Sequence, residues 1–150
     1  MYFNFKKAMT VLFIILPLTA FAGDLIKKPS ASSVNETMDK LENLVKSKGM
    51  TVFARINHAK NADSVNMKMN KAEVLIFGNP KGGSVLMQND PSIALDLPLR
   101  IAIYEDNEGK VWLIYHDPQS FKNTYHVGQG EKVINKVQAG LDKLSSAVTQ

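Results

Sequence analysis

The sequence predicts an α+β domain built as a two-layer sandwich, with helices packed on one face of a mixed or antiparallel sheet. Residues 99–104 and 110–116 alternate in hydropathy on either side of a polar turn, which predicts a β-hairpin. Apolar stripes at helical spacing predict amphipathic helices near both ends of the domain, over 34–46 and 131–148. Helices whose apolar stripes face a hairpin-based sheet are typical of a two-layer arrangement.

The first 22 residues have the pattern of a signal peptide. Lys6 and Lys7 precede an apolar stretch over 8–20, and Ala20-Phe21-Ala22 is a small-x-small cleavage site. The stretch is shorter than the roughly 20 apolar residues that cross a bilayer. We therefore expect cleavage after Ala22, export to the periplasm or the medium, and a mature chain without membrane insertion.

The mature chain is expected to contain a flexible lead-in over 23–32 and a single domain over 33–150. The sequence has no cysteine, which excludes cysteine-ligated zinc and a thiol nucleophile. Without Lys6 and Lys7, 16 of the 18 basic residues remain against 14 acidic ones, a net charge of +2. A net charge this small, with acidic and basic residues interspersed, argues against a nucleic-acid partner.

Along the chain, Ser33 and Glu36 form a capping box ahead of the first helix. Residues 51–57 are predicted as a strand with Val52, Ala54 and Ile56 on one face. A second helix over 58–69 follows, and then a strand over 73–77. Residues 82–97 should hold one or two short helices interrupted by a proline.

The hairpin is predicted to pair Tyr104 with Val111 and Ile103 with Trp112. This register would put six side chains on the core face, namely Leu99, Ile101, Ile103, Trp112, Ile114 and His116. A β-bulge would change this assignment.

Four short segments in this order resemble the DUF302 family. They are Ile56-Asn57-His58-Ala59, Phe77-Gly78-Asn79-Pro80, Leu86-Met87 and Asp96-Leu97-Pro98-Leu99. The resemblance covers residues 49–120, and the last helix is compatible with it. It implies a compact two-layer fold similar to the TBP-like fold, and often a dimer, but it implies no established reaction.

Four polar residues are the candidate ligand-binding residues: Asn57, His58, Asn79 and His116. Asn57-His58 and Asn79 each follow a predicted strand, so they would meet at one edge of the sheet if those two strands ran parallel. His58 has the ordinary pKa range of a general acid or base, although a structural role at the strand end explains it as well. Asn79 before proline is typical of a turn.

No cofactor or metal is expected. The three histidines lack the spacing of a zinc site, and the methionines are more often core residues than copper ligands. No serine lies in a nucleophile motif.

Three functions remain open at this stage. The preferred one is a dimeric binding module for a small molecule or an envelope partner. The alternatives are an enzyme that uses His58 as general acid or base, and a domain that only pairs with other proteins, which an exposed apolar face on the hairpin would favour.

Overall fold

The computed structural model describes residues 25–150; the predicted signal peptide lies outside the described residues. Over these residues five strands and five α-helices follow in the order β-α-β-α-β-α-β-β-α-α, with short 3₁₀ turns between the later elements. The strands are β1 (Leu25–Ser30), β2 (Thr51–Asn57), β3 (Ala72–Gly78), β4 (Leu99–Glu105) and β5 (Val111–His116). The helices are α1 (Val34–Ser47), α2 (His58–Asp63), α3 (Pro80–Asn89), α4 (Phe121–Thr124) and α5 (Glu131–Val148).

The strands form one sheet in the order β1-β5-β4-β3-β2, and every neighbouring pair is antiparallel. Helices α1 and α5 pack on one face of this sheet, so the predicted α+β two-layer class is confirmed. The interface between the layers forms the main core, with contributions from Met38 and Leu41 of α1, Leu75 and Phe77 of β3, and Leu144 of α5. In the part of the chain that the structure describes, no helix combines the length and the apolar character needed to cross a bilayer.

The capping box at the start of α1 is present as predicted. Ser33 Oγ accepts a hydrogen bond from the Glu36 backbone N–H at 3.3 Å, and Glu36 Oε2 accepts one from the Ser33 backbone N–H at 3.0 Å. Each residue satisfies a backbone donor that the first helical turn leaves free.

The expected flexible lead-in is wrong over Leu25–Ser30, because these residues form the edge strand β1. Its register aligns Ile26 with Tyr115 and Ser30 with Val111 on β5. The Lys28 ammonium donates to Ser145 Oγ at 2.7 Å, which attaches β1 to α5. Two lysines and a proline gave this segment the composition of a loop, and the pairing partner lies some 85 residues later in the sequence.

The predicted core face of β4, with Leu99, Ile101 and Ile103, is confirmed, but the predicted faces of β2 and of β5 are wrong. In β2 the register shifts between Val52 and Ala54, so Val52 lies opposite the buried Phe77 whereas Ala54 turns to the other face. In the hairpin Tyr104 pairs with Trp112 and not with Val111. A register change of one residue reverses the face of every side chain on a strand.

The hairpin register follows from its turn. The Asp106 carboxylate accepts from the backbone N–H groups of Glu108 and Lys110, at 3.0 and 2.9 Å, and from Trp112 Nε1 at 2.7 Å. These bonds hold Trp112 on the face away from the helices. The core face of the hairpin therefore carries Leu99, Ile101, Ile103, Val111, Leu113 and Tyr115.

The predicted helix over 58–69 ends early, because α2 stops at Asp63. Asn66 has a positive φ of 60°, which an α-helix does not accommodate. The chain from there to β3 is not helical and leaves Val65, Met67 and Met69 exposed.

Candidate functional site

A pocket of about 290 Å³ opens at the end of the sheet where β3 ends and β4 begins. Its walls come from β2, from both ends of the connection between β3 and β4, and from α5. The lining residues are Phe53, Gly78, Asn79, Pro80, Gly82, Gly83, Leu86, Met87, Leu97, Pro98, Leu99, Pro118, Phe121, Val133, Ile134 and Val137. Asn79 supplies the one polar side chain among them, so the pocket is apolar.

The bulge in β2 places Phe53 at this pocket. Phe53 is the residue at which the pairing with β3 shifts, and its ring lies 3.8 Å from the position a Cβ would take on Gly78. The side chain remains 52% exposed, which is unusual for phenylalanine in a domain with a well-formed core. Phe53 therefore forms part of the rim of the pocket.

Helix α3 starts at the pocket and brings two glycines to its wall. Asn79 caps the helix, since its Oδ1 accepts from the Gly82 backbone N–H at 3.2 Å, and Pro80 occupies the first turn. A Cβ on Gly82 would lie 3.6 Å from Val133, and one on Gly83 would lie 3.8 Å from Met87. Side chains would fit at both positions, and glycine leaves that space to the pocket.

Another part of the wall is held by packing of aromatic and apolar groups. Phe121 is buried and meets Tyr125 edge to face, with ring centroids 6.0 Å apart. The Tyr125 hydroxyl donates to Asp96 Oδ2 at 2.5 Å, and this hydrogen bond raises the pKa of Tyr125. The orientation of Phe121 is thus fixed from behind by a hydrogen-bonded tyrosine.

A second, much smaller cavity of about 20 Å³ adjoins the pocket and shares Leu99 and Phe121 with it. Asp96, Arg100 and His116 line this cavity, with Arg100 Nη2 at 3.5 Å from Asp96 Oδ1. Its volume suits one water molecule and no larger ligand.

The structure separates the four predicted site residues. Because β2 and β3 are antiparallel, Asn57 and His58 lie at one end of the sheet and Asn79 at the other. The condition for a shared edge, parallel strands, is therefore not met. Asn79 lines the apolar pocket, whereas His116 lines the small neighbouring cavity at the same end. Ligand binding by these residues stays a prediction.

Both the oxygen and the nitrogen of the Asn57 side-chain amide make structural hydrogen bonds. Its Oδ1 caps α2 by accepting from the Lys60 backbone N–H at 2.8 Å, and its Nδ2 donates to Glu73 Oε1 at 3.0 Å. His58 is the first residue of α2 and is exposed, and it lines neither of the two cavities described above.

Sequence reasoning did not find this pocket as a unit, although it marked several of its residues. The family resemblance includes Leu97-Pro98-Leu99 and Gly78-Asn79-Pro80, and Asn79 is also a predicted turn residue and candidate ligand contact. Gly82-Gly83 lies in the segment predicted to hold short helices. The contribution of Phe53 depends on a bulge, and that of α5 on tertiary packing. A cluster of prolines and glycines flanked by apolar residues was the available signal.

Fold and site together define a small α+β domain that carries one apolar pocket at an end of its sheet. The chain belongs to the DUF302 family: the family model described as "Domain of unknown function DUF302" matches residues 26–148.

A solved structure supports the fold. The crystal structure of an uncharacterized conserved DUF302 protein from Bacillus stearothermophilus superposes with a TM-score of 0.66, covering 85% of this chain and 97% of that one. The two sequences are 16% identical, so the likeness concerns the fold alone.

Curated relatives carry a different name. This chain is 39% identical over 132 residues to fluoride-specific ion channel FluC 1 of Brucella suis biovar 1 and to FluC 2 of Brucella melitensis biotype 1. The match covers 87% of this chain but 52% and 49% of those proteins. The chain thus spans about half the length of the curated relatives it matches.

Proposed function

We propose that this protein is a binding module that holds a small apolar molecule in the pocket at the end of β3. The supporting observation is the pocket itself, whose volume of about 290 Å³ lies at the lower end of the range of roughly 300–1,000 Å³ typical of small-molecule sites. Its apolar lining with a single amide side chain, Asn79, is the usual composition of such a site.

The glycines of α3 strengthen this proposal. Glycine in a helix costs about 1 kcal/mol relative to alanine, and the space beside Gly82 and Gly83 would accept a methyl group without a clash. The chain thus gives up helix stability at two positions and gains open space in the pocket. A trade of stability against open volume is typical of functional sites.

The proposed ligand is not the fluoride ion in the names of the Brucella relatives. Fluoride is a small, strongly hydrated anion, and stripping its water without replacement by donors is costly. The side chains of this pocket offer one amide and otherwise hydrocarbon and a thioether. Whatever the other half of those relatives does, this pocket suits an apolar molecule.

Binding of a small fluorescent apolar probe such as 1-aminonaphthalene tests the proposal. Gly83→Leu should weaken binding at least about tenfold, since overfilling a packed site costs about 1–3 kcal/mol. Gly140→Leu is the matched control, because Gly140 lies in α5 with nothing within 4 Å of its Cβ position. Both variants should keep the wild-type thermal midpoint or exceed it, since leucine is the better helix former.

Two results would contradict the proposal that the probe binds in this pocket. Either the probe binds the wild-type protein and Gly83→Leu equally well, or Gly140→Leu weakens binding as much as Gly83→Leu does. In both cases the probe binds elsewhere, and the pocket has no role in its binding.

We further propose that two copies pair through the sheet face opposite the helices. Apolar and aromatic side chains make up the middle of this face, namely Val74, Ile76, Ala102, Tyr104, Trp112 and Ile114. All six are partly exposed and none belongs to either packed core of the described residues. The ammonium groups of Lys27 and Lys110 lie over the Trp112 ring, 3.9 and 4.2 Å from its centroid, and would have to move to the rim of the interface. The predicted homodimer has a suitable surface here.

The area of this face is just large enough for a specific dimer interface. Five strands about 4.8 Å apart and about 20 Å long give roughly 500 Å² per copy, and so about 1,000 Å² for two, the lower limit of specific interfaces. We expect a concentration-dependent dimer in sedimentation velocity. Ala102→Arg should shift it to monomer, whereas Ala139→Arg on the exposed side of α5 should not. A monomer at every concentration would refute the dimer.

We also propose that the protein acts outside the cytoplasm. This rests on the predicted signal peptide, so N-terminal sequencing of the protein from a bacterial envelope fraction should begin at Gly23. A chain that retains its first 22 residues in the cytoplasmic fraction would overturn it.

A further inference from the structure

The volume of the pocket limits the size of its ligand. An apolar cavity of about 150 Å³ holds benzene, which has about six non-hydrogen atoms. A pocket of about 290 Å³ therefore holds roughly ten non-hydrogen atoms. This is the size of a bicyclic ring system or of a medium-length hydrocarbon chain.

The walls of the pocket favour a flat ring over a flexible chain. Pro80, Pro98 and Pro118 present rigid rings, and Gly82 and Gly83 present bare backbone. Such surfaces are flat and do not adjust to a bent chain. A rigid planar ligand loses less conformational freedom on binding than a chain of the same size, because it has few rotatable bonds to freeze.

Two aromatic side chains, Phe53 and Phe121, line this space. Phe121 is buried and fixed by its edge-to-face contact with Tyr125, whereas Phe53 is half-exposed at the rim. An aromatic ring in the pocket can make offset or edge-to-face contacts with these side chains, and the Met87 thioether adds a favourable sulfur–aromatic contact.

The polar groups of the pocket limit the charge of its ligand. No charged side chain is among the lining residues, so an ionised ligand would lose its hydration without compensation. Asn79 Oδ1 already accepts from the Gly82 N–H, so the amide NH₂ of Asn79 is the group available to a ligand. It can donate to a hydroxyl, a carbonyl or a ring nitrogen.

Resting on the proposed function of this same pocket, we propose that its ligand is a neutral, planar aromatic compound of about ten non-hydrogen atoms that bears one hydrogen-bond acceptor. A metabolite of this class, such as a substituted bicyclic ring, has the size, flatness and single acceptor that the walls select.

Three compounds, each competing with the fluorescent probe, distinguish a neutral aromatic ligand from an aliphatic one and from a charged one. 1-Naphthol and 1-decanol have the same carbon count and one hydroxyl each but differ in planarity, and 1-naphthoate keeps the ring and adds a charge. We expect 1-naphthol to bind at least about tenfold tighter than 1-decanol, because it alone of the two makes aromatic contacts. It should also bind more tightly than 1-naphthoate, whose carboxylate would lose its hydration without compensation. Phe53→Leu should reduce this preference, and because Phe53 is half-exposed the variant should remain folded.

The outcomes distinguish the two proposals. If 1-decanol binds as tightly as 1-naphthol, the aromatic class is wrong and the apolar pocket stands. If 1-naphthoate binds best, the neutral class is wrong. If none of the three competes and Gly83→Leu leaves probe binding unchanged, both the ligand class and the pocket are wrong.

Discussion

Replacing Glu73 by glutamine tests the ion cluster that holds β2 in the sheet. Glu73 is 2% exposed on β3, where its carboxylate accepts from Arg55 Nε at 2.6 Å and from Asn57 Nδ2 at 3.0 Å. Since β2 is an edge strand with β3 as its sole neighbour in the sheet, these bonds fix it and the helix that follows.

The cost can be worked out from the two bonds. A glutamine amide has one acceptor oxygen, and its nitrogen would face a second donor, so at most one bond survives. A hydrogen bond to a charged group contributes about 1.5–3 kcal/mol, and a donor left unpaired in a buried site adds about 1–3 kcal/mol. Arg55 keeps its contacts to Asp39 and Glu42, which places the expected loss near 3 kcal/mol.

Urea unfolding followed by Trp112 fluorescence measures this loss. The midpoint should fall at an unchanged m-value, which marks a change in stability alone. Asp39→Asn is the control, because Asp39 also contacts Arg55 but its side chain is 61% exposed, and exposed pairs contribute about 0–1 kcal/mol. A loss below about 1 kcal/mol for Glu73→Gln, or an equal loss in both variants, would refute the reasoning.

Three further predictions concern α1, the contact between α3 and α5, and α5. Ser33→Ala removes the capping box and should cost about 1 kcal/mol in the free energy of unfolding, whereas Ser33→Asp should retain most of it. Gly130→Ala would place a Cβ 2.7 Å from Leu86 Cδ2, so we expect a loss of about 1–3 kcal/mol and a lower thermal midpoint; an unchanged midpoint would contradict the packing there. Burial, aided by the hydrogen bond to Asp142, raises the pKa of Tyr115 to about 12. Unfolded tyrosine ionises near pH 10, so this contribution to stability should be full below that pH and fall by up to about 3 kcal/mol between pH 10 and 12. Tyrosinate absorbance should show this titration, and Tyr115→Phe should remove one late-titrating tyrosine while that of Tyr125 remains.

Much of the fold could be predicted because its signals are local. The capping box at Ser33, the apolar stripes of α1 and α5 and the turn at Asp106 each lie within a few residues of the structure they determine. The α+β class follows from these elements, since helices with one apolar stripe must cover a sheet. The family resemblance agreed with this class.

Local sequence signals could not predict the register of the strands or that residues 25–30 form a strand. Strand β1 is polar and contains Pro29, and it forms a strand because β5 offers it an edge. The face of Trp112 depends on three bonds to one carboxylate, and that of Ala54 on a bulge one residue long. Such shifts turn the side chains of a strand to the opposite face of the sheet while leaving the hydropathy pattern of the sequence unchanged.

The candidate site shows the same division. By itself the sequence determined the chemistry of the pocket: a run of proline, glycine and apolar residues around Asn79 that contains no catalytic set. The tertiary structure alone decided that this run faces Phe53 and α5 across an open space, and that His58 lies at the far end of the sheet. Antiparallel pairing of β2 and β3 is the physical reason, because it places the carboxyl ends of these two strands at opposite ends of the sheet.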